Sequence, residues 1–226
     1  MKARRPSTRP VAVIFDMDGL MLDTESLALK TWREAAAAIG VDFDLGLLPA
    51  MIGRNYRDCR DMLRGHYGPS YPVEQLTATC LTVFDAIVAR DGVAQKPGLR
   101  ELLDWLEGEN VVRAVATSTR RDRAEKQLTQ QGLMSRFATL VGGNEVERGK
   151  PEPDIFLLAA SRLAVAAADC VVLEDSEPGV RAALAAGMMP IMVPDLHGPS
   201  ENLLAREPLV LPSLHEVRAH LALLPP

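Results

Sequence analysis

Two acidic pairs, Asp16-Met17-Asp18 and Glu174-Asp175, follow directly on short apolar runs, Val11–Phe15 and Cys170–Leu173. A third run, Val111–Ala116, ends in Thr117-Ser118-Thr119, and a fourth, Ala138–Val141, precedes Gly149-Lys150-Pro151-Glu152-Pro153-Asp154. Residues two apart on an extended chain point the same way, so Asp16 and Asp18 can face one crevice. Two close carboxylates repel unless a cation or a shared proton compensates them. Acidic oxygens from two strand ends suit a hard divalent cation such as Mg²⁺. Hydroxyls and free amides at a strand-to-helix turn can hold phosphate oxygens. A lysine nearby can neutralise a phosphate or an acyl-phosphate.

Taken singly, each signal has a plainer reading. Asp18-Gly19 is also a turn pair; Thr117-Ser118-Thr119 and Asp175 also read as helix caps; most single lysines are solvated surface. Chance capping explains each one but not four consecutive strand ends delivering acid pair, hydroxyl, lysine and acid pair. Lys150 does not belong to a nucleotide P-loop, because Pro151 stands where Ser or Thr is required. His66, His197, His215 and His220 lack zinc-ligand spacing.

The elements that must position these residues follow from the punctuation. Continuous apolar runs suit strands buried on both faces of a parallel sheet, and Pro190–Val193 and Leu209–Leu211 extend the series. Helical spacing fills the gaps: Leu99 to Gly108, Arg121–Gln131, Pro153–Leu163 and Glu177–Ala186. Strand alternating with helix predicts an α/β fold, a doubly wound parallel sheet. The alternation stops between Thr24 and Pro97, where Leu27–Ile39, Arg57–Leu63 and Glu74–Ala89 read as helices. The chain is therefore expected to divide into a core of residues 1–24 plus 96–226 and a helical insert of residues 25–95. The insert's Gly53-Arg54-Asn55-Tyr56-Arg57 offers Arg54 and Arg57 to a distal anionic or polar substrate group.

Asp16-Met17-Asp18-Gly19, Thr117, Lys150 with its Pro-Glu-Pro-Asp-Ile-Phe, and Glu174-Asp175-Ser176 resemble, in order, the four motifs of the haloacid dehalogenase-like hydrolases. The insert's position resembles the helical-cap subgroup, which includes β-phosphoglucomutase and small sugar-phosphate phosphatases. The resemblance implies a Rossmann-like core with a helical cap, and Asp16 as the nucleophile that forms an aspartyl-phosphate. Asp18 is then general acid and base, and Thr117, Ser118 and Lys150 bind the transferring oxygens. Mg²⁺ is implied on Asp16, the Asp18 backbone carbonyl, Asp175 and Glu174, the last directly or through water. The implied activity is a phosphatase acting on a small phosphorylated metabolite, such as a sugar phosphate. A mutase is the nearest alternative, but β-phosphoglucomutases carry a cap histidine where this chain has Ala28. Dehalogenases of the family lack the second aspartate, here Asp18. A non-catalytic phospho-aspartate switch would use similar residues but needs no lid.

Composition bounds the partners. The 226 residues carry 25 Lys plus Arg against 30 Asp plus Glu, net −5, so no basic field draws the chain to nucleic acid. No apolar run approaches a membrane span, and Met1–Pro10 lacks a signal-type apolar core, reading instead as a basic, frayed tail. Cys59, Cys80 and Cys170 are odd in number with no C-x-x-C, which points to buried thiols in a reducing compartment and a cytoplasmic location. The sequence leaves the oligomeric state open.

Overall fold

Each core strand is buried on both faces, and the two faces feed different layers. In the computed structural model, which describes residues 3–225, β1 (Ala12–Phe15) has no exposed residue. Val13 and Phe15 point into one apolar layer; Ala12 and Ile14 point into the other. The first layer is closed by α5 (Leu99–Gly108), α6 (Arg121–Gln130) and α10 (Leu214–Ala222). The second is closed by α7 (Asp154–Leu163) and α8 (Glu177–Ala185).

The sheet is six-stranded and parallel, in the order β3-β2-β1-β4-β5-β6. Its other strands are β2 (Val112–Thr117), β3 (Thr139–Gly142), β4 (Cys170–Glu174), β5 (Met189–Met192) and β6 (Leu209–Val210). The chain leaves β1 toward β2 and β3, then returns to place β4 on the other flank of β1. The carboxyl ends of β1 and β4 thus flank the reversal point at which open α/β sheets bind ligands.

Between β1 and β2 the chain is helical: α1 (Glu25–Ile39), α2 (Leu48–Met51), α3 (Tyr56–Tyr67) and α4 (Val73–Asp91). Leu22 and Gln95 pair where the insert leaves and rejoins the core. Trp32, Ala35, Leu63, Val73, Leu76 and Cys80 form an apolar cluster of the insert's own. Asn55 caps α3, its side chain accepting from Asp58 N at 3.0 Å.

The sequence reading placed most elements within a few residues. It passed over α2, α9 (Glu201–Leu204) and α10. The first two are single turns, too short for periodicity to register. α10 was legible: Leu214, Val217 and Leu221 follow helical spacing, and the Ser213 side chain accepts from His215 N. The frayed tail needs correction over its described residues, while Met1 and Lys2 lie outside them. Arg9 donates its backbone N–H to Pro225 and its Nε–H to Leu224, pairs with Glu109, and lies over the Trp105 ring. Among the described residues no helix is long and apolar enough to cross a membrane.

Because the insert's apolar cluster is separate from those of the sheet, a cavity there should act locally. Leu63→Ala, at a fully buried site, is expected to cost about 2–5 kcal/mol. Hydrogen exchange should accelerate across α1, α3 and α4 while the β1 and β4 amides keep their wild-type rates; equal acceleration in both regions would contradict this.

Candidate active site

Strand register brings the chemistry to one level. Phe15 pairs with Val115 on β2 and with Leu173 on β4, so Asp16, Ala116 and Glu174 emerge side by side. Lys150, on the loop after β3, reaches all three. Its Nζ donates to Asp16 Oδ1 at 2.5 Å, Glu174 Oε1 at 2.6 Å and the Ala116 carbonyl at 3.2 Å. The three donors of the ammonium thereby meet three acceptors, and Lys150 is 1% exposed. Burial alone would drive its proton off, but Asp16 and then Glu174 outweigh that, holding Lys150 above its ordinary pKa.

Glu174 is committed at both oxygens. Oε2 accepts from Ser176 N at 2.9 Å and from Ser176 Oγ at 2.8 Å. Ser176 in turn caps α8 by accepting from Gly179 N at 3.3 Å. Asp175 is left without such partners and lies against Gly19. A Cβ on Gly19 would come within 2.3 Å of Asp175 Oδ2, and its φ of +78° also favours glycine. Burial lifts Asp16 well above the carboxylate range; Lys150 opposes this, while Glu174 and Asp18 add to it. Burial, then Glu174, Asp16 and Glu25, raise Asp175 likewise. Glu25 is pushed up to about 8 by burial and by Asp18, Asp195 and Glu174.

Asp16, Glu174 and Asp175 offer carboxylate oxygens that all lie within 4.8 Å of one another. Three buried carboxylates share one ammonium. An all-oxygen donor set with uncompensated negative charge fits a hard divalent cation. The Asp18 side chain belongs to a different group: its Oδ2 accepts from Thr117 Oγ1 at 3.1 Å and from Thr119 Oγ1 at 2.8 Å.

A cavity of about 290 Å³ separates this floor from the insert, with Asp16, Asp18, Thr117, Ser118, Arg54 and Ala28 in its lining. The insert closes onto the core here, the Ser118 hydroxyl donating to the Gly53 carbonyl at 2.8 Å. Arg57 is not in the lining; its guanidinium donates to the Glu147 carbonyl at 2.5 Å and tethers the insert to a core loop. Arg54 lines the cavity with its Nε–H given to the Ala50 carbonyl at 3.0 Å. Sequence reasoning missed Thr119 as a partner of Asp18 and Ser176 as the holder of Glu174. For Ser176 the available signal was a hydroxyl directly after the acidic pair Glu174-Asp175; Thr119 carried no such local signal.

Glu174 allows a test by bulk alone. A Cβ on Gly179 would lie 1.8 Å from Glu174 Oε1, a side chain with no exposed surface onto which to move. Gly179→Ala is therefore expected to destabilise the fold by about 1–3 kcal/mol. Gly108→Ala meets nothing within 4 Å and should be neutral or slightly stabilising. Urea unfolding midpoints compare the two; equal midpoints would contradict the tight seat described for Glu174.

Known proteins share this layout. The sequence pattern of the haloacid dehalogenase-like hydrolases matches residues 13–193. A phosphorylated carbohydrates phosphatase of Thermotoga maritima is 33% identical over 177 residues, 78% of this chain and 82% of that protein. The β-phosphoglucomutase of Bacillus subtilis is 30% identical over 197 residues, 80% of this chain and 82% of that protein. CbbY from Rhodobacter sphaeroides, solved in complex with phosphate, superposes with a TM-score of 0.77 at 28% identity, covering 92% of this chain and 96% of that one. With a family match from the first strand to the end of the fifth and relatives similar over most of both chains, this protein belongs to the haloacid dehalogenase-like hydrolases.

Proposed function

We propose that this hydrolase is a Mg²⁺-dependent phosphatase that hydrolyses a small phosphorylated metabolite through an aspartyl-phosphate on Asp16. The observation that carries this reading is Asp16 at the cavity floor, with Oδ1 2.5 Å from Lys150 Nζ and Asp18 held by two hydroxyls beside it. The Asp16 carboxylate attacks phosphorus, and the bond from phosphorus to the leaving oxygen breaks. Asp18 gives that oxygen its proton. Because Thr117 and Thr119 occupy Asp18 Oδ2, Oδ1 is the atom left to carry it. Asp18 then takes a proton from water as the water oxygen attacks the same phosphorus. The bond to Asp16 breaks, which restores the carboxylate and releases inorganic phosphate. When bound, Mg²⁺ would be held by Asp16, Asp175, the Asp18 carbonyl and, directly or through water, Glu174, and would supply charge neutralisation at the transferring oxygens.

The Ser118 amide positions those oxygens, Lys150 and Thr117 act through Asp16 and Asp18, whose oxygens accept their hydrogen bonds, and Arg54 faces the distal part of the substrate. Residues 25–95 act as the cap whose closure excludes water. Ala28 lines the cavity where a mutase-like histidine would be expected, which favours a phosphatase over a mutase. Relatives that act on phosphorylated carbohydrates place sugar phosphates first in an assay. Three buried, unpaired thiols, Cys59, Cys80 and Cys170, support a reducing, cytoplasmic setting.

Phosphate release from p-nitrophenyl phosphate should require Mg²⁺ and vanish in excess chelator. Asp16→Asn should form no phosphoenzyme in rapid-quench trapping, and Asp18→Asn should slow turnover roughly 10²–10⁴-fold. Full activity in chelator, or a phosphoenzyme on Asp16→Asn but not on Asp18→Asn, would overturn the assignment.

A further inference from the structure

One row of side chains on α6 and its C-cap faces the insert. Arg123, Gln127 and Gln131 stand four residues apart and so share a helix face. The outer two bridge to the insert. The Arg123 guanidinium donates to Asp85 of α4 at 2.7 and 3.0 Å and lies 5.8 Å from the centre of the Phe84 ring. The Gln131 amide donates to the Val93 carbonyl at 2.8 Å and accepts from Gln95 Nε2 at 3.0 Å, both on the segment that returns from α4 to the core. Gln127, between them, joins neither contact. It is 8% exposed, its side-chain oxygen is buried with no hydrogen-bond partner, and it lines the cavity above Asp16 and Asp18.

A buried polar atom without a partner costs stability. Packing gives no reason for that cost here, since a methionine fills a similar space and asks for no partner. The other polar groups of the walls differ. Glu25, Arg54 and His197 also line the cavity, but all three are half-buried or exposed, so a substrate that bonds to them displaces water. The Gln127 oxygen is shielded from water, and a donor on a ligand gives it a bond that solvent does not. The terminal torsion of a glutamine is broad, which lets the amide turn toward such a ligand.

Gln127 also stands about 9 Å along α6 from Arg121, at about 1.5 Å of rise per residue. That is past the Thr117-Ser118-Thr119 turn, so the group it meets belongs to the alcohol of the substrate. We infer, building on the phosphatase reading above, that Gln127 is a specificity-determining residue. It accepts a hydrogen bond from a hydroxyl of the leaving alcohol, several bonds from phosphorus, and so favours polyhydroxylated phosphomonoesters over those with no hydroxyl in reach.

Gln127→Met removes the amide and keeps the length of the side chain. Relative to wild type it should lower kcat/KM for glucose 6-phosphate, ribose 5-phosphate or both at least about fivefold more than for benzyl phosphate, which carries no hydroxyl; about that factor follows from losing one hydrogen bond to an uncharged group. Its urea midpoint should match or exceed that of wild type, because an unpaired buried polar group is gone. A lowered midpoint would mean that Gln127 holds the insert to the core, and would overturn the inference. Equal losses on all three esters, no loss on any, or phosphate release from hydroxyl-free esters alone would also overturn it and leave the phosphatase reading intact. If no ester releases phosphate, p-nitrophenyl phosphate included, the phosphatase reading fails, and calorimetry on Asp16→Asn decides the inference. Adding Gln127→Met to that variant should weaken binding of glucose 6-phosphate or ribose 5-phosphate at least about fivefold more than binding of benzyl phosphate. Equal effects, or no binding of either sugar phosphate, would overturn it.

Discussion

A lysine ammonium is buried at the centre of this protein, and the fold around it is arranged so that the charge can stay there. Lys150 is 1% exposed, and an unpaired charge at that depth would deprotonate or unfold its surroundings. It is retained because Asp16, Glu174 and the Ala116 carbonyl each accept one of its hydrogen bonds. Those acceptors sit just past β1, on β4 and on β2, so the contact demands that β1 lie between the other two with their carboxyl ends level. A one-residue slip in either ladder would turn an acceptor to the other face. Strand order, register and the reach of the loop after β3 are thus parts of a single requirement.

The same arrangement leaves a charge imbalance that bears on chemistry. One ammonium faces Asp16, Glu174 and Asp175, with Glu25 close enough to add to the repulsion on Asp175. Glu174 spends its oxygens on Lys150 and Ser176 and so positions other groups. Asp16 and Asp175 remain the carboxylates for which a further positive charge would relieve most strain. Asp18 stands apart because Thr117 and Thr119 hold it. Two aspartates two residues apart therefore occupy different electrostatic settings, the condition for dividing nucleophilic from acid–base work between them. The insert completes the enclosure through the contact of Ser118 with the Gly53 carbonyl.

Much of this was legible in the sequence, because parallel strands buried on both faces announce themselves as unbroken apolar runs and the residues just past them must lie at one edge. Asp16, Thr117, Lys150, Glu174 and Asp175 are placed at that edge by this rule alone. What was not legible depends on contacts between segments distant in sequence. Nothing local distinguishes Arg54, which lines the cavity, from Arg57, which turns to the Glu147 carbonyl. The bond from Thr119 to Asp18 spans two strand ends. The single-turn helices Leu48–Met51 and Glu201–Leu204 are shorter than the period that would reveal them.

The claim that the Lys150 charge and its two carboxylates act as one unit is open to a double-mutant cycle. Lys150→Met should destabilise the protein by about 3–5 kcal/mol, because it strands buried acids without a partner. Glu174→Gln should cost much less in the Lys150→Met background than in the wild type, giving a coupling of about 0.5–3 kcal/mol by urea unfolding. Additive effects of the two substitutions would mean that Lys150 and Glu174 are merely neighbours, and would contradict the account.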